Sequence, residues 1–278
     1  MRYRQPLRMG PTRRAGGMVR LAIGAIVAAF AFFSYQCSTE YNPVTGEEQH
    51  VAMTPEQEIA LGLQAAPEMA ARHGGLLDDA AVQALVDRVG ADLVRSGAAR
   101  DTGWQFEFHV LADPQTVNAF ALPGGQIFIT DALLRRFSTE GELAGVIGHE
   151  IGHVVARHGA QRLAKMQLTE GITGAVLVAA GGGGSEAQIA QMVGQLVNMK
   201  YGREDELESD TIGVMLVAAA GYDPRALIRV MKILDDASGG NAPPEWMSTH
   251  PSHGNRVARI EAAIEEVFPA GIPDGLQQ

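Results

Sequence analysis

The stretch His149-Glu150-Ile151-Gly152-His153 lies inside an apolar run that extends from Leu143 to Val155. Thr139 and Glu142, spaced three positions apart just before this run, form the pattern of a capped helix N-terminus. We therefore expect the stretch to lie on a helix, and its apolar neighbours predict that this helix is buried. The other elements of the chain are expected to pack around it.

The two histidines of this stretch are spaced so that they can bind one ion. Residues four apart on a helix share a face and lie about 6 Å apart along the axis, so His149 and His153 can both direct a ring nitrogen at one cation. Glu150 is rotated by about 100° from His149, close enough to contact a water molecule on that cation. This layout is typical of a hydrolytic zinc site. The alternative, a helix with three polar residues of no function, leaves costly side chains in an apolar setting.

Composition limits the class of protein. The 278 residues are 46% apolar, enough for a substantial core. Cys37 is the only cysteine, so no intrachain disulfide can form. Six arginines and no acidic residue lie within residues 1–36, which makes the remainder more acidic than the net charge of −10. An acidic body argues against nucleic acid as a partner.

The N-terminus carries the features of an export signal. Its arginines precede an apolar run, residues 21–33, that is shorter than the roughly 20 residues of a membrane-spanning helix and fits the apolar region of a secretory signal. Cys37 follows directly, which suggests a lipoprotein lipidated at this residue, although Ser34-Tyr35-Gln36 departs from the usual lipidation sequence. The alternative is an uncleaved anchor. In both cases we expect the body to be exported and tethered to a membrane.

The order of predicted elements indicates one catalytic domain. We expect a signal peptide or anchor over residues 1–36, a polar tether over 37–53 and a zinc metallopeptidase domain over 54–278. Helices are predicted from 54 to 71 and from 78 to 96, and strands over 104–110 and 126–130. The fold class is therefore α+β, mainly helical, with a small antiparallel sheet beside the zinc helix.

The second predicted strand and the segment before it are candidates for substrate binding. An edge strand can hold an extended peptide by backbone hydrogen bonds, whatever side chains the peptide carries. The alternative is an ordinary hairpin with no binding role. The candidate residues are Asn118, Ala119, Gln126, Ile127 and Phe128.

A zinc site with two histidines needs a third protein ligand and leaves one position for water. The acidic start of a predicted helix, residues 201–210, is the best supply in the chain, and spacing does not choose among Glu204, Glu206 and Glu208. Glu206 and Asp210 are four residues apart on a face continued by small or apolar residues, which mildly favours Glu206.

Three further segments have structural interpretations. His158 is expected to cap the C-terminus of the zinc helix, where a cationic or donor side chain is favourable. Residues 171–184 predict a short buried helix and a flexible loop, with a mobile flap over the active site as a hypothesis. Residues 238–249 are predicted to be a loop.

Several of these stretches occur together, in the same order, in one known family. The chain resembles the HtpX-like and prenyl-protease-like (CAAX-type) zinc metallopeptidases of the gluzincin group, and it looks most similar to their small exported branch. The resemblance is carried by Cys37 with Asn42 to Gly46, Asn118 to Gly125, His149 to His153, Arg203 to Asp210, and Thr249-His250-Pro251 with Arg256. Small departures from the family pattern occur at Gly202 and Ser209, and neither is a ligand position.

The resemblance implies a role for several residues. Glu206 would be the third zinc ligand, and Asp210 would orient a ligand histidine. His250 would lie over the metal, where it would stabilise the oxyanion or occupy zinc in a resting state. One zinc ion per chain, polypeptide substrates and protein quality control in the bacterial cell envelope, with misfolded envelope proteins as substrates, are what the resemblance implies.

The expected reaction is therefore peptide hydrolysis with Glu150 as general base. A second hypothesis is an envelope chaperone-like or binding factor with a structural or latent zinc site, but a structural site needs no base at position 150. A third, a membrane-embedded prenyl-peptide protease, conflicts with the shortage of long apolar segments.

Overall fold

The computed structural model of the chain describes residues 12–180, 201–237, 244–251 and 254–278. Its helices are α1 (Thr12–Gln36), α2 (Pro55–Arg72), α3 (Ala80–Ser96), α4 (Asp131–Leu134), α5 (Glu140–Val155), α6 (His158–Ala180), α7 (Arg203–Ala219), α8 (Arg225–Ala237), α9 (Glu245–Thr249) and α10 (Arg256–Val267). Its strands are β1 (Thr39–Tyr41), β2 (Glu48–His50), β3 (Glu107–Leu111), β4 (Ala119–Ala121) and β5 (Gln126–Thr130). The predicted fold class, mainly helical α+β, is confirmed.

The central helix α5 begins and is buried as its sequence predicts. Thr139 caps its N-terminus by accepting a hydrogen bond from the backbone N–H of Glu142 at 3.3 Å. Every residue from Gly141 to Val155 is buried. The main core surrounds this helix with apolar side chains from α3, the sheet, α7, α8 and α10. Burial on all sides explains why the apolar run of α5 shows no solvent-facing stripe.

The sheet beside α5 has three strands in the order β3-β5-β4. The hairpin of β4 and β5 is antiparallel, with Phe120 opposite Phe128. β3 pairs with β5 in parallel, with His109 opposite Phe128. The sheet is thus mixed, and β5 is its middle strand with both edges occupied.

The segment predicted as a tether is folded against the end of α5. β1 and β2 form an antiparallel hairpin. Asn42, which lies in the turn of this hairpin, donates a hydrogen bond to the carbonyl oxygen of Val155 at 2.8 Å and accepts one from the backbone N–H of Val44 at 2.9 Å. The first bond satisfies a carbonyl group in the last turn of α5, so the hairpin and the zinc helix are held together.

Helix α1 leaves most of its apolar side chains exposed. By length and composition it is the one helix in the described part of the chain that could cross a membrane, its segment Gly17–Gln36 having a mean hydropathy of 1.9. It is longer than the apolar run 21–33 indicated, because the flanking residues continue the helix. Its inner face packs against α6.

Residues 171–184 begin in a helix as predicted, although this helix is long rather than short, and the loop predicted over 238–249 is partly wrong. α6 continues to Ala180, so the first part of the segment 171–184 belongs to a long helix; the remainder, and most of the hypothetical flap, lies outside the described residues. Within residues 238–249, Pro244 introduces the short helix α9. Trp246, the second residue of α9, is almost fully buried, which the Pro-rich sequence did not indicate.

Candidate metal centre and active site

Helix α5 presents His149, Glu150 and His153 on its buried side, and each side chain is at most 2% exposed. The Nε2 atoms of His149 and His153 lie 3.1 Å apart. Two ring nitrogens at this separation both face the same small space, as the four-residue spacing predicts.

Helix α7 brings the carboxylates to this space. Asp205 accepts a hydrogen bond from the backbone N–H of Gly202 at 3.0 Å, which fixes the first turn of the helix. Glu206 then lies fully buried, with its carboxylate oxygens 3.5 Å from Nε2 of His153 and 3.7 Å from Nε2 of His149. Of the three glutamates that spacing left open, Glu204 is exposed and Glu208 is directed at His158.

His250, which follows α9, completes a group of four donors. Its Nδ1 atom lies 3.1 Å from Oε1 of Glu206 and 3.3 Å from Nε2 of His149. One donor atom from each of His149, His153, Glu206 and His250 lies within 4.8 Å of the other three. Ligands about 2.0–2.1 Å from a tetrahedral zinc ion are about 3.3–3.4 Å from one another, so these donors fit the ion.

The polar atoms at the centre also fit a divalent cation. Among the described residues, Oε2 of Glu150 and Nε2 of His250 are buried without a hydrogen-bond partner. Burial raises the pKa of Glu206 to about 7 and raises the pKa of Glu150 as well. Burial lowers the pKa of His250 to about 3 and that of His153 well below its usual range. Neutral imidazoles have free lone pairs, and a divalent cation would supply the positive charge that the carboxylates lack.

Asp210 and Arg256 support the donors from behind. Oδ1 of Asp210 lies 2.9 Å from Nδ1 of His149. Arg256 donates two hydrogen bonds to the Asp210 carboxylate at 2.7 and 2.8 Å, and its third nitrogen lies 2.9 Å from Glu206. Burial favours the neutral acid, but hydrogen bonds from Arg256 and His149 outweigh it and lower the pKa of Asp210. An ionised Asp210 fixes the His149 proton on Nδ1, which leaves Nε2 free for a metal.

Two aromatic residues contact the centre, and the sequence did not single them out. Trp246 donates a hydrogen bond from its indole to Glu150 at 3.4 Å and stacks on His250 with ring centroids 4.7 Å apart. Tyr201 stacks on His153 at 3.7 Å. The one available signal was the four-residue spacing of Trp246 and His250, which places both on one side of a short helix.

The prediction that His158 caps α5 is wrong. α5 ends at Val155, and Arg157 then adopts a left-handed φ of 57°. The chain turns there and α6 begins at His158. The His158 ring therefore points back at the centre, with Nδ1 2.8 Å from Nδ1 of His153.

The predicted substrate residues separate into two groups. Gln126, Ile127 and Phe128 lie on β5, whose two edges pair with β3 and β4, and their side chains are at most 2% exposed. The prediction that this strand holds a peptide through its backbone is therefore wrong. Asn118 and Ala119, by contrast, lie at the start of β4, an edge strand of the sheet.

The two edges of the sheet differ. On β3, the Gln83 side chain accepts a hydrogen bond from the backbone N–H of Val110 at 3.1 Å and donates one to the carbonyl of Phe108 at 2.8 Å, covering that edge. On β4, residues 118 and 122 bond to β5, so by alternation Ala119 and Ala121 direct their backbone groups away from the sheet. Phe120, Ala121 and Leu122 line a cleft together with His153 and His250. The edge of the sheet that lies beside the metal donors is therefore β4, and the Gln83 side chain does not cover it.

Comparisons with known proteins agree with this chemistry. A model of peptidase family M48 matches residues 80–264. Mitochondrial metalloendopeptidase OMA1 of Schizosaccharomyces pombe is 31% identical over 251 residues, which are 87% of this chain and 71% of that protein. The beta-barrel assembly-enhancing protease of Escherichia coli K12 is 28% identical over 260 residues, 90% of this chain and 51% of that protein. Human metalloendopeptidase OMA1 is 34% identical over 171 residues, 58% of this chain and 32% of that protein.

The chain thus spans from about a third to about seven tenths of the length of these three relatives. The finer resemblance to the HtpX-like and prenyl-protease-like branch is not distinguished by these matches. The family match covers α3 to α10, which contain the four donors, the supporting residues and the open strand edge. The chain therefore belongs to peptidase family M48, a family of zinc metallopeptidases.

Proposed function

We propose that this chain is a zinc-dependent endopeptidase in which His149, His153 and Glu206 hold the metal and Glu150 is the general base. The observation that carries the proposal is the convergence of three buried ligand atoms, from His149, His153 and Glu206, beside the carboxylate of Glu150. One oxygen of that carboxylate has no hydrogen-bond partner. A structural zinc site closes with four ligands and needs no adjacent acid.

The residues act in a definite order. Zinc held by His149, His153 and Glu206 would make a water molecule more acidic and would polarise the substrate carbonyl. Glu150 accepts the proton of the attacking water and passes it to the leaving amine. The Trp246 indole and the Ala121 backbone, which both bond to the Glu150 carboxylate, keep it directed at the reacting centre. Burial raises the pKa of Glu150, and a cation held beside it would oppose this shift by stabilising the carboxylate.

His250 lies among the metal donors. Its Nδ1 atom is 3.1 Å from Oε1 of Glu206 and 3.3 Å from Nε2 of His149, so the ring would compete with the attacking water for a bound metal. We infer that His250 withdraws before catalysis, and that its ring, once displaced, can donate a hydrogen bond to the oxyanion.

The substrate binds in an extended conformation along β4. Ala119 offers a backbone donor and acceptor beside the metal centre, and Ala121 offers its carbonyl oxygen. Asn118 lies at the end of this edge and donates a hydrogen bond to Glu245 at 3.3 Å. Recognition through backbone groups is tolerant of sequence, which suits a protease that removes misfolded proteins.

We further propose that the enzyme is exported and tethered to a membrane of the bacterial envelope by its N-terminus, through α1 or through lipid on Cys37, with envelope proteins as substrates. The name of the Escherichia coli relative, which links it to β-barrel assembly, supports this substrate class. The apolar exposed surface of α1 supports the tether.

The test is cleavage of casein by the full-length chain in detergent, with and without a zinc chelator. Glu150→Gln should keep one zinc ion per chain and lose about 10²–10⁴-fold in turnover, because the base is absent but the ligands remain. Glu140→Gln, at the start of the same helix, is the matched control and should stay active.

Near-full activity of Glu150→Gln would refute Glu150 as the base. Should the wild-type chain bind zinc and cleave nothing, His250→Ala decides between the alternatives. Activity in that variant supports a closed enzyme, and continued inactivity supports the binding factor.

A further inference from the structure

A second series of hydrogen-bonded side chains supports the metal site, separate from Asp210 and Arg256. His158 is 1% exposed, and its two ring nitrogens are both engaged. Nδ1 lies 2.8 Å from Nδ1 of His153, and Nε2 lies 2.9 Å from Oε2 of Glu208. Glu208 is 30% exposed, so the chain His153–His158–Glu208 runs from the centre toward the surface.

The chemistry of these contacts fixes where each proton lies. A neutral imidazole has one donor and one acceptor nitrogen. If Nε2 of His153 gives its lone pair to the metal, Nδ1 of His153 must carry the proton. Nδ1 of His158 then has to accept a hydrogen bond from the N–H of His153. The proton of His158 must therefore lie on Nε2, from which it donates a hydrogen bond to the Glu208 carboxylate.

The arrangement is built by the turn after α5. Arg157, with its left-handed φ, places His158 in the first turn of α6. The Arg157 guanidinium holds this geometry by donating to Glu58 at 2.8 Å and to the carbonyl of Met53 at 2.6 Å. The Ser209 hydroxyl lies 3.5 Å from Nδ1 of His158, too far to compete with His153.

We propose that His158 and Glu208 are positioning residues for the zinc ligand His153. His158 fixes the tautomer and the ring orientation of His153, and Glu208 fixes the tautomer of His158. This inference rests on the proposed role of His153 as a ligand. It gives each ligand histidine its own carboxylate, Asp210 directly for His149 and Glu208 through His158 for His153.

The first experiment compares two replacements of Glu208 in the full-length chain. Glu208→Gln retains an amide oxygen that accepts the Nε2 proton of His158, so zinc affinity should stay within a few-fold of the wild type. Glu208→Lys presents a donor, which moves the His158 proton to Nδ1 and sets two N–H groups against each other. Zinc affinity should then fall by about 10- to 100-fold. Glu204→Lys makes the same charge change at an exposed position of the same helix and should leave affinity unchanged.

The second experiment replaces His158 itself. Asn places an acceptor oxygen near the position of Nδ1, whereas Leu offers none. His158→Leu should lose about 10- to 100-fold in zinc affinity and alter the visible spectrum of the cobalt-loaded protein, and His158→Asn should restore both. If His158 had only a structural role, His158→Leu and His158→Asn would have the same zinc affinity and the same cobalt spectrum, once the difference in their metal-free stability, measured in EDTA, is taken into account.

The outcomes separate this inference from the proposed function. If the wild type and His153→Ala bind zinc equally well, the proposed ligand set is wrong. If zinc binding depends on His153 but Glu208→Lys and His158→Leu both bind zinc like the wild type, only the positioning role is wrong. Competition with a chromophoric chelator measures all these affinities without reference to peptidase activity.

Discussion

Arg256 is the cationic side chain that contacts both buried carboxylates of α7 at the metal centre, as far as the described residues show. It is 1% exposed, and its three nitrogens face Asp210 and Glu206. Without this cation, two acids would be buried side by side before any metal binds. Arg256 therefore makes the apo site possible, and it makes Glu206 available as an anion when the metal arrives.

Replacing Arg256 tests this role. Arg256→Met should lower the free energy of unfolding by about 3–5 kcal/mol, because it leaves buried charges without a partner. Arg256→Lys should recover only part of this, since an ammonium group cannot form the forked pair with Asp210. Urea denaturation in EDTA gives the stability, and chelator competition gives the zinc affinity. Arg259→Met, exposed on the same helix, is the control, and a loss equal to that control would contradict the role.

Local spacing was sufficient for the residues that one helix supplies. The apolar run and the four-residue period placed His149, Glu150 and His153 on a buried face, and the structure brings them together. Spacing only mildly favoured Glu206 over Glu204 and Glu208, because nothing local fixes which distant acid reaches α5. The roles of Glu206, Asp210 and His250 came from the family resemblance. Tyr201, Trp246 and His158 were missed since each contacts the centre through tertiary packing, and an isolated aromatic residue or histidine has many structural uses.

Helices α5 and α7 approach closely because glycine lines their contact. A Cβ atom on Gly152 would lie 2.9 Å from the carbonyl oxygen of Ser209, and one on Gly213 would lie 3.1 Å from the backbone nitrogen of His149. A Cβ atom on Gly148 would lie 3.3 Å from the Gly213 carbonyl. This close packing is what lets the Glu206 side chain reach the two histidines.

Gly152→Ala should therefore move α7 away from the metal ligands. Overpacking costs about 1–3 kcal/mol, which exceeds the gain of up to about 1 kcal/mol from better helix propensity, so the variant should be less stable. A displacement of about 1 Å should reduce turnover by about 100-fold. Thermal unfolding and casein cleavage measure the two effects.

The control for this variant is Gly159→Ala, since a Cβ atom there would meet only Pro123 at 3.5 Å. It should be as stable as the wild type or more so. If Gly152→Ala also kept full stability and activity, the helix approach would not depend on glycine.

The sheet shows the limit of reading elements from sequence. Alternation and turn residues located β3 and β5 to within a few residues, but the sequence did not show which edge stays open. That depends on β3, which precedes β5 by many residues and pairs with it in parallel. Of the strands in this sheet, as far as the structure describes them, β4 is the one that retains outward-facing backbone groups beside the metal donors, so the proposed substrate role moves from β5 to β4.

At the scale of the whole molecule, the N-terminal segment contacts the catalytic body at several points. A Cβ atom on Gly171 of α6 would lie 2.6 Å from Cβ of Ala31, so α1 and α6 are closely packed. His50 of β2 stacks on Tyr35 at 4.1 Å and bonds to its carbonyl oxygen at 2.9 Å. Arg157 also contacts Glu40. These contacts favour an anchor that stays attached over a signal that is removed.

We therefore expect the chain in the membrane to retain α1. Cleavage before Cys37 would expose the α6 surface around Gly171 and remove the ring on which His50 stacks. Because Cys37 is exposed, Cys37→Ser should change the mass of the membrane-bound protein only by the substitution itself and should leave its extraction by detergent and its activity unchanged. Intact mass spectrometry of the extracted wild-type chain should find residues before Cys37 and no diacylglyceryl group. A wild-type mass that begins at a lipidated Cys37, with unprocessed Cys37→Ser accumulating beside it, would instead identify a lipoprotein whose α6 surface is covered by another partner.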